Sequence, residues 1–230
     1  MKISTALFAF LSELKTANNR EWFKAHKAEF KILEAEVKAF YQLVAQGLSE
    51  HDQIQSTKAY RIYRDIRFSK DKTPYKTYLS ANFIRQKPAL RGGYYLHLEP
   101  GGNSFIGAGF WKPEKKDLDR VRKEWELDDE EIRAILTGKD FVEHWGEMRG
   151  QTLKTAPRGF DRDHQAIDLI NHKQWIFQHK FTDKQVLSED FEALIQRHFK
   201  AVRPFVDYMT DVLTTDLNGV SLLEEDGETY

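Results

Sequence analysis

Arg61-Ile62-Tyr63-Arg64-Asp65-Ile66-Arg67-Phe68-Ser69-Lys70-Asp71-Lys72-Thr73-Pro74-Tyr75-Lys76 is the stretch around which this 230-residue chain is organised. Its Ile, Tyr and Phe content favours a strand over Arg61–Phe68. Period two then sets Arg61, Tyr63, Asp65 and Arg67 on one face, and Ile62, Arg64, Ile66 and Phe68 on the other. Arg64 would stand among apolar neighbours, and a guanidinium there needs a carboxylate or an anionic ligand. The loop that follows, Ser69 to Lys76, brings hydroxyls, ammonium groups and backbone N–H groups together, with Pro74 holding Thr73 extended. A solvated hairpin whose lysines only keep an edge soluble would share this composition.

Charge sharpens the choice. Lys58 to Arg91 carries ten Lys/Arg against two Asp, a balance of +8, while the rest of the chain stands at −9 and the whole at −1. Positive charge this concentrated, with aromatics among it, points to an anion site. The near-zero total argues against a protein that coats nucleic acid. Phosphate-cradling glycine loops, a zinc His-Glu-x-x-His run and a nucleophile elbow are all missing from the sequence. There is no cysteine, which excludes disulfides, thiolate metal sites and sulfur nucleophiles.

Outward from this stretch, strands are expected near Tyr78–Arg85, Gly93–Glu99, Ser104–Trp111 and Trp175–Phe181. The turns at Lys87-Pro88/Gly92-Gly93 and Pro100–Asn103 are short and imply antiparallel pairing. Gly107 and Gly109 share a face with Phe105 and Trp111, so a helix or ligand should approach there. Leu7, Phe10, Leu11 and Leu14 mark an amphipathic N-terminal helix rather than a signal peptide. Asn18 is placed as the cap of one long helix ending near Gly47, with His26 on its apolar stripe as a hydrogen-bonded core histidine. Helices are expected through Leu118–Trp125, from Asp128 to Gly138, from an Asp163 cap to Ile170, and after Thr182 and Ser188 with a break near Pro204. The fold class is α+β, a mainly antiparallel sheet flanked by helices, in a single domain over residues 1–215, with an acidic, frayed tail over 216–230. No run reaches the length of a membrane helix, and the expectation is a cytoplasmic protein.

The ligand-binding candidates are Arg61, Arg64, Asp65, Arg67, Lys72, Tyr75, Arg85 and Arg158. Tyr95, His97 and Glu99 share one strand face and suit the roles of donor, base and orienter. A wet outer sheet face would show the same alternation. Asp161, Asp163 and His164 have metal-ligand chemistry, but capping by Asp163 explains them more simply, so no residue is assigned to a metal. The sequence leaves the cofactor unknown. The leading expectation is a small phosphorylated or carboxylated molecule bound at the basic site, with enzymatic processing there as an extension of that reading. A nucleic-acid or nucleotide module, with Tyr63, Phe68 and Tyr75 stacking bases, is the alternative. A protein-interaction domain using the basic hairpin is the third.

The run R-x-x-R-D-x-R-F-x-x-x-K-x-x-Y, here Arg61, Arg64, Asp65, Arg67, Phe68, Lys72 and Tyr75, resembles the signature of a bacterial family of conserved hypothetical proteins, domain of unknown function 2461. Asn19-Arg20-Glu21-Trp22-Phe23, Gly93 to Leu98, and Lys154-x-x-Pro157-Arg158-Gly159-Phe160 are similar to that family too. The resemblance covers nearly the whole chain. It implies a single bacterial domain and no particular substrate.

Overall fold

The computed structural model describes residues 2–223. Five strands form one antiparallel sheet in the order β1-β2-β3-β4-β5: Ile54–Ala59, Leu79–Arg85, Gly93–Leu98, Phe105–Phe110 and Trp175–Lys180. Helices flank it, so the α+β class stands. By contacts the chain divides into two compact units. Of the described residues, the first takes 2–84, 94–106 and 179–197, and the second 85–93, 107–178 and 198–223.

In the first unit, α1 (Thr5–Thr16) is capped by Ser4, whose hydroxyl accepts from Leu7 N at 3.3 Å, and it buries Leu7, Phe10, Leu11 and Leu14. The long helix expected from Asn18 is two helices, α2 (Arg20–Ala25) and α3 (Lys27–Ser49). Asn19, not Asn18, caps α2, its Oδ1 accepting from Trp22 N at 2.8 Å. The break falls at His26, whose Nδ1 lies 2.8 Å from Trp22 O while its ring stacks on Trp22. A side chain bonded to a carbonyl of the previous turn competes with the helical ladder. His26 is thus satisfied structurally, at the half-buried junction rather than within the core. Gly47 lies inside α3 and does not end it. A Cβ there would meet Gln196 Nε2 at 2.4 Å, so this glycine admits the Glu192/Gln196 side chains. Helix α3 packs against β1, and Phe10, Phe23, Phe30, Phe40, Phe181 and Phe191 supply the aromatic core. Burying one such ring contributes about 1.5–3 kcal/mol.

The second unit holds α4 (Lys115–Leu127), α5 (Glu130–Thr137), α6 (Lys139–Trp145), α7 (Ile167–Ile170) and α10 (Arg203–Thr214). Trp125 and Trp175 meet edge to face at 5.8 Å, and Phe141, Phe177 and Phe205 cluster in the same core. Helix α6 was not anticipated. The short helix expected from an Asp163 cap begins only at Ile167, because Asp163 instead belongs to a turn in which its N–H donates to Asp161 Oδ1. In β4, Gly109 has φ +119°, and a Cβ would lie 2.0 Å from Trp175 O. The close approach inferred at Gly109 is therefore the backbone of the next strand, not a helix or a ligand. Helix α8 (Asp183–Val186) opens with the expected Thr182/Gln185 capping box. Helix α9 (Phe191–Ala201) gives way to α10 where Pro204 enters its first turn, a position that needs no N–H.

Two further expectations are corrected. Arg61–Phe68 is not a strand: among the described residues its one ladder contact is the isolated bridge Tyr63–Tyr75. The strand lies earlier, at β1, where the sequence Ile-Gln-Ser-Thr-Lys-Ala is too polar to announce itself. The tail expected to be frayed from Asp216 is held through Leu223. Thr215 bridges Ser221, and Asp216 Oδ1 accepts from Asn218 N and Val220 N at 2.8 and 2.9 Å. Residues 224–230 lie outside the described residues.

Candidate functional site

The basic segment is anchored at its base by the first unit's aromatic core. Asn18 Nδ2 donates to Tyr75 O at 3.0 Å, and Tyr75 N donates to Asn18 Oδ1 at 3.1 Å. The Tyr75 ring, 7 % exposed, stacks on Phe23 at 4.0 Å. Tyr75 is therefore an anchor, not the ligand-facing residue expected. Lys76 N to Ile62 O (2.8 Å) and Arg64 N to Pro74 O (2.9 Å) close the neck.

Beyond the neck the loop is braced by its own polar groups. Arg64 reaches Asp71, the Thr73 hydroxyl, Thr73 O (3.2 Å) and Ser69 Oγ (3.5 Å). The anionic partner that Arg64 required is thus Asp71, and its role is to tie the loop. Thr73 N–H and the Arg64 guanidinium bring the Asp71 carboxyl down to about 2. Arg67 grips Asp65 with two bonds, 3.0 and 2.7 Å, which lowers the Asp65 carboxyl. Lys72 Nζ donates to Ile66 O at 3.0 Å. These side-chain bonds replace a ladder, which is why an apparent strand sequence forms a loop. Arg64, Asp65 and Arg67 are therefore committed to one another or to neighbouring loop groups, while Lys72 spends one of its three donors on backbone.

Further uncommitted charge lies at the neck and over the sheet. Arg61 is exposed and makes no ion pair among the described residues. Lys76 is half-buried and likewise has none, with its Nζ 5.4 and 5.6 Å from the Tyr60 and Tyr78 ring centres. Burial, and then the charge of Arg61, push the Lys76 ammonium below its ordinary value. Lys58 Nζ stands 5.7 Å from the Tyr60 ring centre. Asn82 Nδ2 donates to the Tyr60 hydroxyl at 2.6 Å. Lys58, Tyr60, Lys76 and Tyr78 were not among the candidates, although Lys76 closes the basic run and Tyr78, just before β2, alternates with Ser80 and Asn82 on it.

The structure does bring Tyr95, His97 and Glu99 into one hydrogen-bonded row. His97 Nε2 lies 3.0 Å from Glu99 Oε2, and His97 Nδ1 lies 3.3 Å from the Tyr95 hydroxyl. A carboxylate only accepts, so Nε2 carries the proton and Nδ1 of the neutral ring accepts from Tyr95. Thr77 Oγ1 donates to the other Glu99 oxygen at 3.3 Å. The imidazole is stacked on Phe105 at 4.6 Å and lies 4.2 Å from Tyr78. Burial lowers its basicity, Glu99 opposes that, and Lys76 reinforces it. Burial raises the Tyr95 hydroxyl, against a bond from Ser80. The row can relay a proton from Tyr95 to an imidazole held in one tautomer by a carboxylate.

Two candidates belong to the second unit. Arg85 is fully buried and donates to Arg91 O (2.9 Å), Val206 O (3.0 Å), Thr210 Oγ1 (3.0 Å) and Asp207, a structural role. Arg158 is exposed on the Pro157 turn. Among the described residues no group of three or more His, Asp or Glu could hold a metal. His164 Nδ1 instead accepts from Ala166 N at 3.1 Å. Among them, too, no helix is long and apolar enough to cross a membrane.

No curated protein and no solved structure matches the chain. Residues 6–208 match the family described as conserved hypothetical protein (DUF2461), which spans both the braced loop and the Tyr95–His97–Glu99 row, and the chain belongs to that family.

Proposed function

We propose that the first unit binds a small phosphorylated or carboxylated molecule, with Arg61, Lys76 and Lys58 as the anion's partners and the Tyr60 and Tyr78 rings beside it. The observation that carries this reading is Lys76, a half-buried ammonium set between the Tyr60 and Tyr78 rings at 5.4 and 5.6 Å with no ion pair among the described residues, and held below its ordinary value by burial and by the charge of Arg61. Burial of an unpaired ammonium is unfavourable, and an anionic ligand would relieve both the burial and the repulsion. The adjacent row supplies proton transfer. A bound hydroxyl or water gives its proton to Tyr95 as the Tyr95 proton passes to His97 Nδ1, and Glu99 stabilises the imidazolium formed.

Thermal-shift titration with orthophosphate, phosphorylated metabolites and dicarboxylates tests the binding step. A ligand at a hundred times its dissociation constant adds about 2.7 kcal/mol of stability. The expected result is a shift for one anion class that is lost in Lys76→Met and in Arg61→Gln, and kept in His97→Asn. Absence of any shift, or equal shifts in wild type and Lys76→Met, would overturn the reading.

A further inference from the structure

Phe68 is 96 % exposed, in the loop braced by Arg64, Asp71 and Thr73. Leaving a phenyl ring in water forgoes the stabilisation its burial would give, yet Arg64, Asp71 and Thr73 are spent on holding this loop in one shape, and Lys72 gives it one bond. The braces carry no core residue outward. What they hold in place is Phe68 and the cations beside it. Lys70 is exposed and makes no ion pair among the described residues. Lys72 keeps two free N–H donors beyond its bond to Ile66 O, and the Arg67 guanidinium sits 6.0 Å from the Phe68 ring centre. Tyr63, 45 % exposed, stands at the neck beside Arg61.

We propose that this loop is a stacking platform for single-stranded nucleic acid, with Phe68 taking a base and Arg61, Lys70 and Lys72 taking phosphates. An almost fully exposed ring beside cationic groups suits a base and its flanking phosphates, because every base has a π-face. A peptide hot spot needs a desolvated pocket, and this ring is convex. A lipid-seated tip needs a continuous apolar face, and here Arg67 and Lys70 bracket one phenyl. The protein's net charge of −1 fits a short footprint rather than a coating.

Fluorescence anisotropy with a labelled oligothymidylate tests this on the full chain, against the same sequence as a duplex and against vesicles containing phosphatidylserine. The expected result is single-strand binding that Phe68→Ala weakens roughly five- to 150-fold, the worth of one stacked base, and that Phe68→Trp preserves. Three phosphates imply a slope of about −2 in log affinity against log salt. Phe68 has no buried contact to lose, so the alanine variant should fold, which its thermal midpoint verifies. Binding unaffected by Phe68→Ala, preference for the duplex or the vesicles, or no single-strand binding would each overturn the proposal.

Discussion

Replacing Arg85 with methionine separates a structural arginine from a ligand-binding one. Its guanidinium donates to Arg91 O, Val206 O and Thr210 Oγ1 and pairs with Asp207, all without exposure to solvent. Removing one member of a buried ion pair typically costs about 3–5 kcal/mol. Here the lower end applies, for three reasons. Asp207 keeps Arg203 at 2.7 Å, Val206 O keeps the Thr210 hydroxyl at 2.7 Å, and methionine refills most of the volume. Arg91 O is the acceptor most exposed to loss. A cost of about 3 kcal/mol corresponds to a drop of roughly 6–12 °C in the unfolding midpoint for a chain of this size. Thermal unfolding by circular dichroism, with and without whichever anion stabilises the wild type, measures both effects. Arg85→Met should lower the midpoint by that amount and keep the anion's increment. A fall under about 2 °C accompanied by loss of the anion's increment would show that Arg85 serves a ligand, and the reasoning would fail.

Burial lowers the basicity of His97 in the first unit and of His172 in the second. The unfolded chain therefore binds more protons than the folded one, so stability is full above the ordinary value of 6.5 and falls as pH drops below it; His97→Asn should flatten that decline, as read by urea midpoints at several pH values. The Asp71 carboxyl lies at about 2, held there by Thr73 N–H and Arg64, so its support persists above the ordinary 3.8 and is lost as pH falls towards 2. Asp71→Asn should accordingly speed amide exchange at Thr73, and unchanged protection would show that the brace is not real. Gly109→Ala should destabilise by about 3 kcal/mol or more, because both its φ and the carbonyl of Trp175 forbid a Cβ; a near-neutral variant would mean that β4 and β5 are farther apart than described.

The legibility of this chain followed the range of the interactions concerned. Period-two alternation located β2, β3, β4 and β5, since each strand carries its burial pattern in its own residues. Capping chemistry marked Thr182/Gln185 and Pro204, where the signal and its effect are three residues apart or fewer. The same alternation set Tyr95, His97 and Glu99 on one face, and the hydrogen-bonded row confirmed that geometry, though their task rests on the proposal above.

What failed depended on side-chain partners that propensity and periodicity do not register, near or distant in sequence. Arg61–Phe68 has the composition of a strand, but Arg64 had Asp71 and Thr73 within reach, and a loop satisfied by its own side chains needs no ladder. Asn18 looked like a cap until Tyr75, 57 residues away, took both its amide groups. Arg85 looked free until the carbonyl of Val206, 121 residues on, enclosed it. Tyr60, Lys76 and Tyr78 gained meaning only beside His97 and Arg61. The sequence by itself determined the α+β class, most strands and the concentration of positive charge, because propensity, periodicity and charge are properties of neighbours along the chain. Only the tertiary structure decided which cations are already paired. Pairing is a matter of distance in space, and a guanidinium reads the same in a sequence whether its carboxylate is across a loop or nowhere at all.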